Sequence, residues 1–429
     1  MKLSLKIVIS VTTALVISGC SGFGTPSAGA SDTLTDAQKQ EFLSILEQDR
    51  YSSLCNLTPM LEQYKATKND QILSQLLVKY ADNLANSCID REAFKRALDR
   101  RHAQKINAVY QMHEEYVSSS DIFSKLKAGA SVKSVLDPFV PPTPQFFKLI
   151  EAYNTAGSPE LQQKIKLNIE RTKLMDPDPS RWSTYVLINV PEFKFRLFEN
   201  GQEQPSLEFN VITGRPTWPT PIFDSTLKYI SVNPTWNVPD NIARKEEIPH
   251  ILKDKSYLRR HNMVVKRDYA PDSPTVDPST INWKQYLTPE WANKELPYKI
   301  IEQSSSHNAL GRVKFLFPNK YSVYMHDTNN KKLFANQVRA FSHGCIRLEK
   351  PLKFLGHLST FYTTKKFEEV GEFLKSKDTK TVGLAQKIPV HIVYLTAYVD
   401  NGMVNFFQDV YAFDQMQHLK APVKIAAKK

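Results

Sequence analysis

The stretch from Tyr324 to Leu348 reads YMHDTNNKKLFANQVRAFSHGCIRL and holds the last cysteine of the chain, Cys345. Ser342, His343 and Gly344 come directly before it, Arg347 stands two positions after it, and His326 lies seventeen residues upstream of His343. A thiol attacks carbonyls as its thiolate, so a nucleophilic cysteine needs a base or a positive environment nearby. Two histidines and an arginine crowd this one, and they are expected to favour the thiolate. Gly344 leaves the backbone room to turn sharply, so that the N–H groups of Gly344 and Cys345 can point at an oxyanion. Together these are the parts of a cysteine acyl-transfer site.

Other uses of the same residues have to be weighed. A single cysteine is most often a small buried hydrophobe, and one histidine nearby is usually a satisfied core residue. His326, His343 and Cys345 are all possible zinc ligands. No Cys-x-x-Cys or His-x-x-x-His pair accompanies them, and a closed site needs a fourth ligand that the stretch does not offer. The chemistry as read requires no metal and no cofactor.

The motif, His326 followed after some fifteen residues by Ser342-His343-Gly344-Cys345-Ile346-Arg347, resembles the signature of the YkuD-type L,D-transpeptidases. The neighbouring text resembles the YcbB-like branch of that family: Leu310 to Phe315, His326-Asp327-Thr328, Val232-Asn233-Pro234, Trp236 to Pro239, Ile242 to Glu246, and Pro389 to Ala397. Two positions depart from the pattern. Arg347 stands where the broad family often has Asn, although Arg is usual in this branch, and Asn329 stands where Pro is usual. The resemblance covers roughly Arg181 to Asp414.

It implies an α+β multidomain protein, with an N-terminal α-helical scaffold domain over 35–180 and a β-rich catalytic domain of β-sandwich type over 181–414. It also implies an enzyme that forms 3→3 cross-links between peptidoglycan stem peptides, with tetrapeptide stems as donor and acceptor and carbapenems as acylating agents. Cys345 would be the nucleophile and His326 the base. Asp327, through its side chain or its backbone carbonyl, would orient the imidazole. Arg347 would either clamp a substrate carboxylate or brace the loop, while His343 and Ser342 support the nucleophile. Hydrolysis, or attachment of a protein to peptidoglycan, would use the same residues. A non-catalytic wall-binding lipoprotein would have no reactive thiol.

The elements that must position these residues can be read from the rest of the chain. Its 429 residues suffice for two or three domains, and a formal charge of +12 favours anionic partners. No zinc-knuckle, RNP-like or basic-helix pattern points to nucleic acid; an anionic wall polymer or membrane face fits the charge as well. Lys2 and Lys6 precede an apolar run, Ile7 to Ile17, that is too short to span a bilayer. Ile17-Ser18-Gly19-Cys20 resembles a bacterial lipobox. This predicts a signal peptide over 1–20, lipidation at Cys20, a flexible tether over 21–34, and a periplasmic protein anchored to the outer membrane. Four cysteines are present. With Cys20 and Cys345 assigned, Cys55 and Cys88 remain, in an exported and oxidising compartment, and a disulfide between them is the favoured reading.

Thr35 with Gln38 forms a capping box before an apolar stripe, Ile72 to Tyr80 repeat at helical spacing, and Asp90 caps a helix, or two, carrying Phe94, Leu98, Ile106 and Val109. Ser158-Pro159 starts a further helix. From Arg181 the period becomes β-like: Tyr185 to Val190 and Lys194 to Phe198 read as strands, and Asn200-Gly201 as a hairpin turn. The polar, proline-rich insertion over 240–297, with Trp283, Tyr286 and Trp291, is expected to be a lid. The basic segment 415–429 is expected to be a disordered tail from Lys420 onward.

Overall fold

The computed structural model describes residues 28, 29, 32–270, 272–365 and 367–424. The leader, Cys20 and most of the tether therefore lie outside the described residues, as do residues 425–429.

The first part of the chain is helical, with its main helices at Asp36–Glu47, Thr58–Thr67, Asp70–Asn86, Arg91–Ala103, Ser119–Lys127, Gln145–Thr155 and Pro159–Thr172. The capping box at Thr35 and Gln38 is formed in both directions. Phe42, Leu73, Leu76, Leu77, Tyr80, Phe146 and Ile165 are fully buried in one core, as the helical spacing requires. Cys55 and Cys88 are joined by a disulfide with Cα atoms 6.3 Å apart, closing a 33-residue separation.

Asp90 caps Arg91–Ala103 through Ala93 N–H, and that helix ends at Ala103, so Ile106 and Val109 belong to the extended segment beyond it. Phe94, Leu98 and Tyr110 do not join the helical core. They pack into the core of the β-rich region, where Phe94, Tyr110 and Phe413 meet edge to face.

Eight strands of that region concern the site: β1 (Tyr185–Asn189), β2 (Lys194–Glu199), β3 (Phe209–Gly214), β4 (Phe223–Val232), β5 (Val313–Leu316), β6 (Met325–His326), β7 (Ile346–Leu348) and β8 (Lys380–Val393). Their order is β3-β7-β6-β5-β4-β8-β1-β2, and β2 pairs again with β3. The expected β-rich domain is present, and its two faces form one sheet that closes on itself. Val186, Ile188, Phe195, Val211, Phe315, Met325, Ile346 and Val390 fill the interior with no exposed surface. Asn200 and Gly201 make the hairpin turn after β2, both at positive φ.

The insertion has a core of its own. Strands Trp236–Asn237, Met263–Lys266 and Lys299–Glu302 form a three-stranded sheet, so the unit extends beyond 240–297 at both ends. Trp283 and Tyr286 are buried in this small core with Ile248, Leu296 and Ile300. The aromatic residues expected to cover the active site therefore hold the insertion together instead.

The basic tail also differs from expectation over its described residues. Ile89 bridges Leu419, Lys420 N–H donates to Cys88 O at 2.7 Å, Lys420 Nζ reaches Asn83 Oδ1 at 3.0 Å, and Val423 N–H donates to Asn56 O at 2.9 Å. The backbone hydrogen bonds left open beside the disulfide order this segment.

Candidate active site

Strand register assembles the site. On β6, His326 is paired with Lys314 of β5 on one side and with Arg347 of β7 on the other. Adjacent strands lie about 4.8 Å apart, so Lys314, His326 and Arg347 form a row across three strands on one face. Their neighbours Phe315, Met325 and Ile346 form the matching row on the opposite face, fully buried in the core. Side chains two residues apart along a strand share a face. Tyr324 therefore stands beside His326, and Cys345 beside Arg347. All five residues line one cleft of about 700 Å³, together with His343 and residues of the insertion, among them Trp236, Ile242, Glu246 and Tyr269.

The turn before Cys345 is pinned by hydrogen bonds. Gly344 has φ +115°, a conformation that side-chain-bearing residues rarely adopt. Ser342 Oγ accepts Gly344 N–H at 3.1 Å and donates to Cys345 O at 2.5 Å, while Thr220 Oγ1 donates to Gly344 O at 2.9 Å. Gly344 N–H is thus committed to Ser342, so the expectation that it helps hold an oxyanion is not met in this structure. Cys345 N–H remains as the donor of that pair.

The two alternatives for Asp327 resolve. His326 Nδ1 donates to the backbone carbonyl of Asp327 at 2.5 Å, which leaves Nε2 as the basic nitrogen. The Asp327 carboxylate is turned away, accepting from Arg312 N–H at 2.9 Å, Thr328 N–H at 2.7 Å and Lys331 Nζ at 2.5 Å. It fixes the loop that carries the histidine.

The electrostatics overturn the expected thiolate. Cys345 is half-buried, and burial pushes its thiol up to about 11 against the pull of hydrogen bonds from Tyr324 and of the charges on Arg347 and Lys314. Burial, then Arg347, depresses His326 to about 3, with Lys314 and Lys331 acting in the same direction. Thiol and imidazole are both neutral at rest, because burial disfavours each charged form and the cations that pull the thiol down also disfavour an imidazolium. Burial lowers His343 as well, although its Nε2 lies 2.6 Å from Glu246 Oε1. Glu246 belongs to a π-helical turn of the insertion, Ala243–Glu247, and also pairs with Arg215 at 3.1 Å. His343 further packs against Trp218 at 4.2 Å.

Residues 183–383 match the profile of the L,D-transpeptidase catalytic domain, YkuD. This part of the chain is similar to the YkuD family. A Haemophilus influenzae protein named "Putative L,D-transpeptidase" is 30% identical over 272 residues, covering 62% of this chain and 51% of that protein, so the chain spans about half the length of this relative. Among solved structures, the L,D-transpeptidase from Mycobacterium smegmatis is 12% identical, with a TM-score of 0.22, covering 49% of this chain and 58% of that one. L,D-transpeptidase 3 from Mycobacterium tuberculosis is also 12% identical, at a TM-score of 0.22, covering 49% and 60%.

Within residues 183–383, Cys345, His326, His343, Arg347 and Ser342 come together at the cleft, whereas Asp327 and Gly344 act from behind its wall. Lys314, Tyr324 and Glu246 were not singled out from the sequence. Tyr324 had a local signal, its two-residue offset from His326. Lys314 and Glu246 become neighbours only through strand register and the fold of the insertion.

Proposed function

We propose that the protein is an L,D-transpeptidase forming 3→3 cross-links between peptidoglycan stem peptides through a thioester on Cys345. The observation that carries this reading is the placement of Cys345 and His326 on one face of a YkuD domain, opening into one cleft. Cys345 Sγ attacks the carbonyl that joins the third stem residue to the terminal D-Ala. His326 Nε2 takes the thiol proton as the C–S bond forms, then gives it to the D-Ala amine as the C–N bond breaks. Cys345 N–H faces the oxyanion, a contribution of about 3–4 kcal/mol for a donor of this kind. The side-chain amine of a second stem then attacks the thioester and restores the thiol. The insertion limits access of water, and this favours transfer over hydrolysis. In this reading the chain has a helical domain over 35–180 and a catalytic domain over 181–414, and is held in the periplasm by lipid on Cys20.

Incubation of purified protein with disaccharide-tetrapeptide tests the reading by mass. The expected result is an adduct on Cys345 that has lost D-Ala, followed by cross-linked dimer, with neither formed by Cys345→Ala. Dimer from the Cys345→Ala protein would overturn the nucleophile; tripeptide without dimer would make the protein a hydrolase.

A further inference from the structure

Away from the cleft, three segments that tie the helical part to the sheet converge on one point. His113 lies in the extended segment between the helices Arg91–Ala103 and Ser119–Lys127. Asp176 follows the helix Pro159–Thr172, and Asp224 stands near the start of β4. Backbone bonds hold the three segments together: Gln111 N–H donates to Ile222 O at 2.8 Å, and His113 N–H to Leu174 O at 3.1 Å. The ligand atoms of His113, Asp176 and Asp224 all lie within 4.8 Å of one another. Asp176 is buried, and the side chains of His113 and Asp224 are largely so.

His113 Nε2 meets two groups that make opposite demands on it. Asp224 Oδ2, an acceptor, lies 2.8 Å away, and the side-chain nitrogen of Gln111, a donor, lies 3.1 Å away. One ring nitrogen cannot donate to the first and accept from the second at the same time. The two ends of an amide are told apart only by their partners. Turned over, Gln111 gives up one long contact, Asp224 N–H to its Oε1 at 3.4 Å, and presents that oxygen beside His113 Nε2 instead. Three oxygens and one imidazole nitrogen then surround a single point. The carboxylates are braced from outside. His391 of β8, stacked on Trp182 at 4.1 Å, has its Nδ1 2.5 Å from Asp224 Oδ1. Arg181 pairs with Asp176 Oδ2, and Asp178 N–H donates to Asp176 Oδ1 at 3.1 Å. Partners of this outer kind orient metal ligands.

We infer that Gln111, His113, Asp176 and Asp224 form a four-ligand site for a divalent transition-metal cation of the zinc class, which fastens the helical part to the sheet. One imidazole with oxygen donors suits such an ion in tetrahedral geometry. Donors at about 2.0–2.2 Å from zinc stand about 3.3 Å apart, so His113 Nε2 and Asp224 Oδ2 need to part by roughly half an ångström. His113 gives up the hydrogen that it shares with Asp224, and the two carboxylates balance the charge of the ion. None of the four residues lines the cleft of Cys345, so the ion is structural and takes no part in acyl transfer.

The experiment uses the full, untagged chain, washed with chelator and alkylated at Cys345 by iodoacetamide so that the cleft cannot hold zinc. Calorimetric titration with Zn2+ should show one tight equivalent per chain, and saturating zinc should raise Tm by roughly 3–6 °C. His113→Ala should weaken that binding about 100-fold and abolish the rise in Tm. Gln111→Ala, which leaves His113 and Asp224 in place, should weaken it about tenfold. Gln111→Glu supplies a third carboxylate. It should tighten zinc about tenfold while lowering Tm of the zinc-free protein, a pair of opposite effects that a network of hydrogen bonds alone does not produce. The two Gln111 variants decide the matter if His113→Ala fails to fold. Absence of a tight equivalent in the alkylated wild-type protein, unchanged affinity in His113→Ala or Gln111→Ala, or a Gln111→Glu protein that does not bind zinc more tightly would each overturn the site.

Discussion

At the Cys55–Cys88 disulfide, two lysines surround one acid: Glu170, fully buried, accepts from Lys173 at 2.9 Å and lies 3.2 Å from Lys166. At Cys345 two cations act on the sulfur, and among the described residues neither forms an ion pair with an acid. Around the disulfide Glu170 and both lysines find their partners inside the protein, down to Cys88 N–H on Glu170 at 2.6 Å and Lys173 on Ser52 O at 2.7 Å. Burial raises the Glu170 carboxyl, yet the two lysines outweigh it and hold it below the ordinary carboxylate range. The same kinds of group thus make a structural joint in one place and a reactive cleft in the other. What separates them is whether the chain itself completes the charge balance.

The largest expected effect is kinetic and tests the state of the reactive sulfur. With the Cys345 thiol raised to about 11 by burial, its alkylation by iodoacetamide should climb about tenfold per pH unit from pH 6 to 9, without a plateau. A plateau beginning below pH 7 would mean a resting thiolate and would overturn the neutral pairing of thiol and imidazole. Next comes Glu170→Ala. Leaving Lys173 buried without its acid should cost about 3–5 kcal/mol in denaturant unfolding, with acylation of the remaining folded protein unchanged. A loss under 1 kcal/mol would mean that the network is not a joint.

Removing the disulfide by replacing Cys55 and Cys88 with Ala should lower stability by about 3–4 kcal/mol in the chain-entropy picture for this 33-residue separation. The rate at Cys345 should not follow. The smallest effect has the opposite sign. Lys314→Met removes a half-buried cation that has no carboxylate partner among the described residues, so it should raise stability by about 1 kcal/mol while slowing acylation. A destabilised Lys314→Met would place Lys314 among the compensated charges and dissolve the comparison.

Much of the reactive site was legible because it is local. Ser342 to Arg347 is one turn and one strand, and the offsets Tyr324–His326 and Cys345–Arg347 follow the two-residue period of strands. Helix starts at Thr35, Asp90 and Ser158 were equally local, since a cap is written within four residues. The charge state was not legible, because nearby cations and burial act in opposite directions on Cys345 and burial depends on the whole cleft. Nor was the placement of Phe94 and Tyr110 in the β-rich core, since an apolar stripe does not name its partner. Trp283 and Tyr286 had the composition of a cover but serve as the core of the insertion, a distinction set by tertiary packing alone.

The closure of the sheet has a consequence for how the chain comes to be folded. β1 lies parallel to β8, with Val186 against Val390 and Asn189 against Val393, so two adjacent strands are separated by some two hundred residues of sequence. Contacts of such long range form slowly, since a large loop must close before they are rewarded. During synthesis β1 and β2 emerge early and wait with one edge unpaired until β8 arrives. An unpaired edge of this apolar strand is a template for pairing with other chains. The nascent protein is therefore most exposed to misassembly after residue 199 and before residue 393 is available, and a factor that shields extended segments would matter most in that interval.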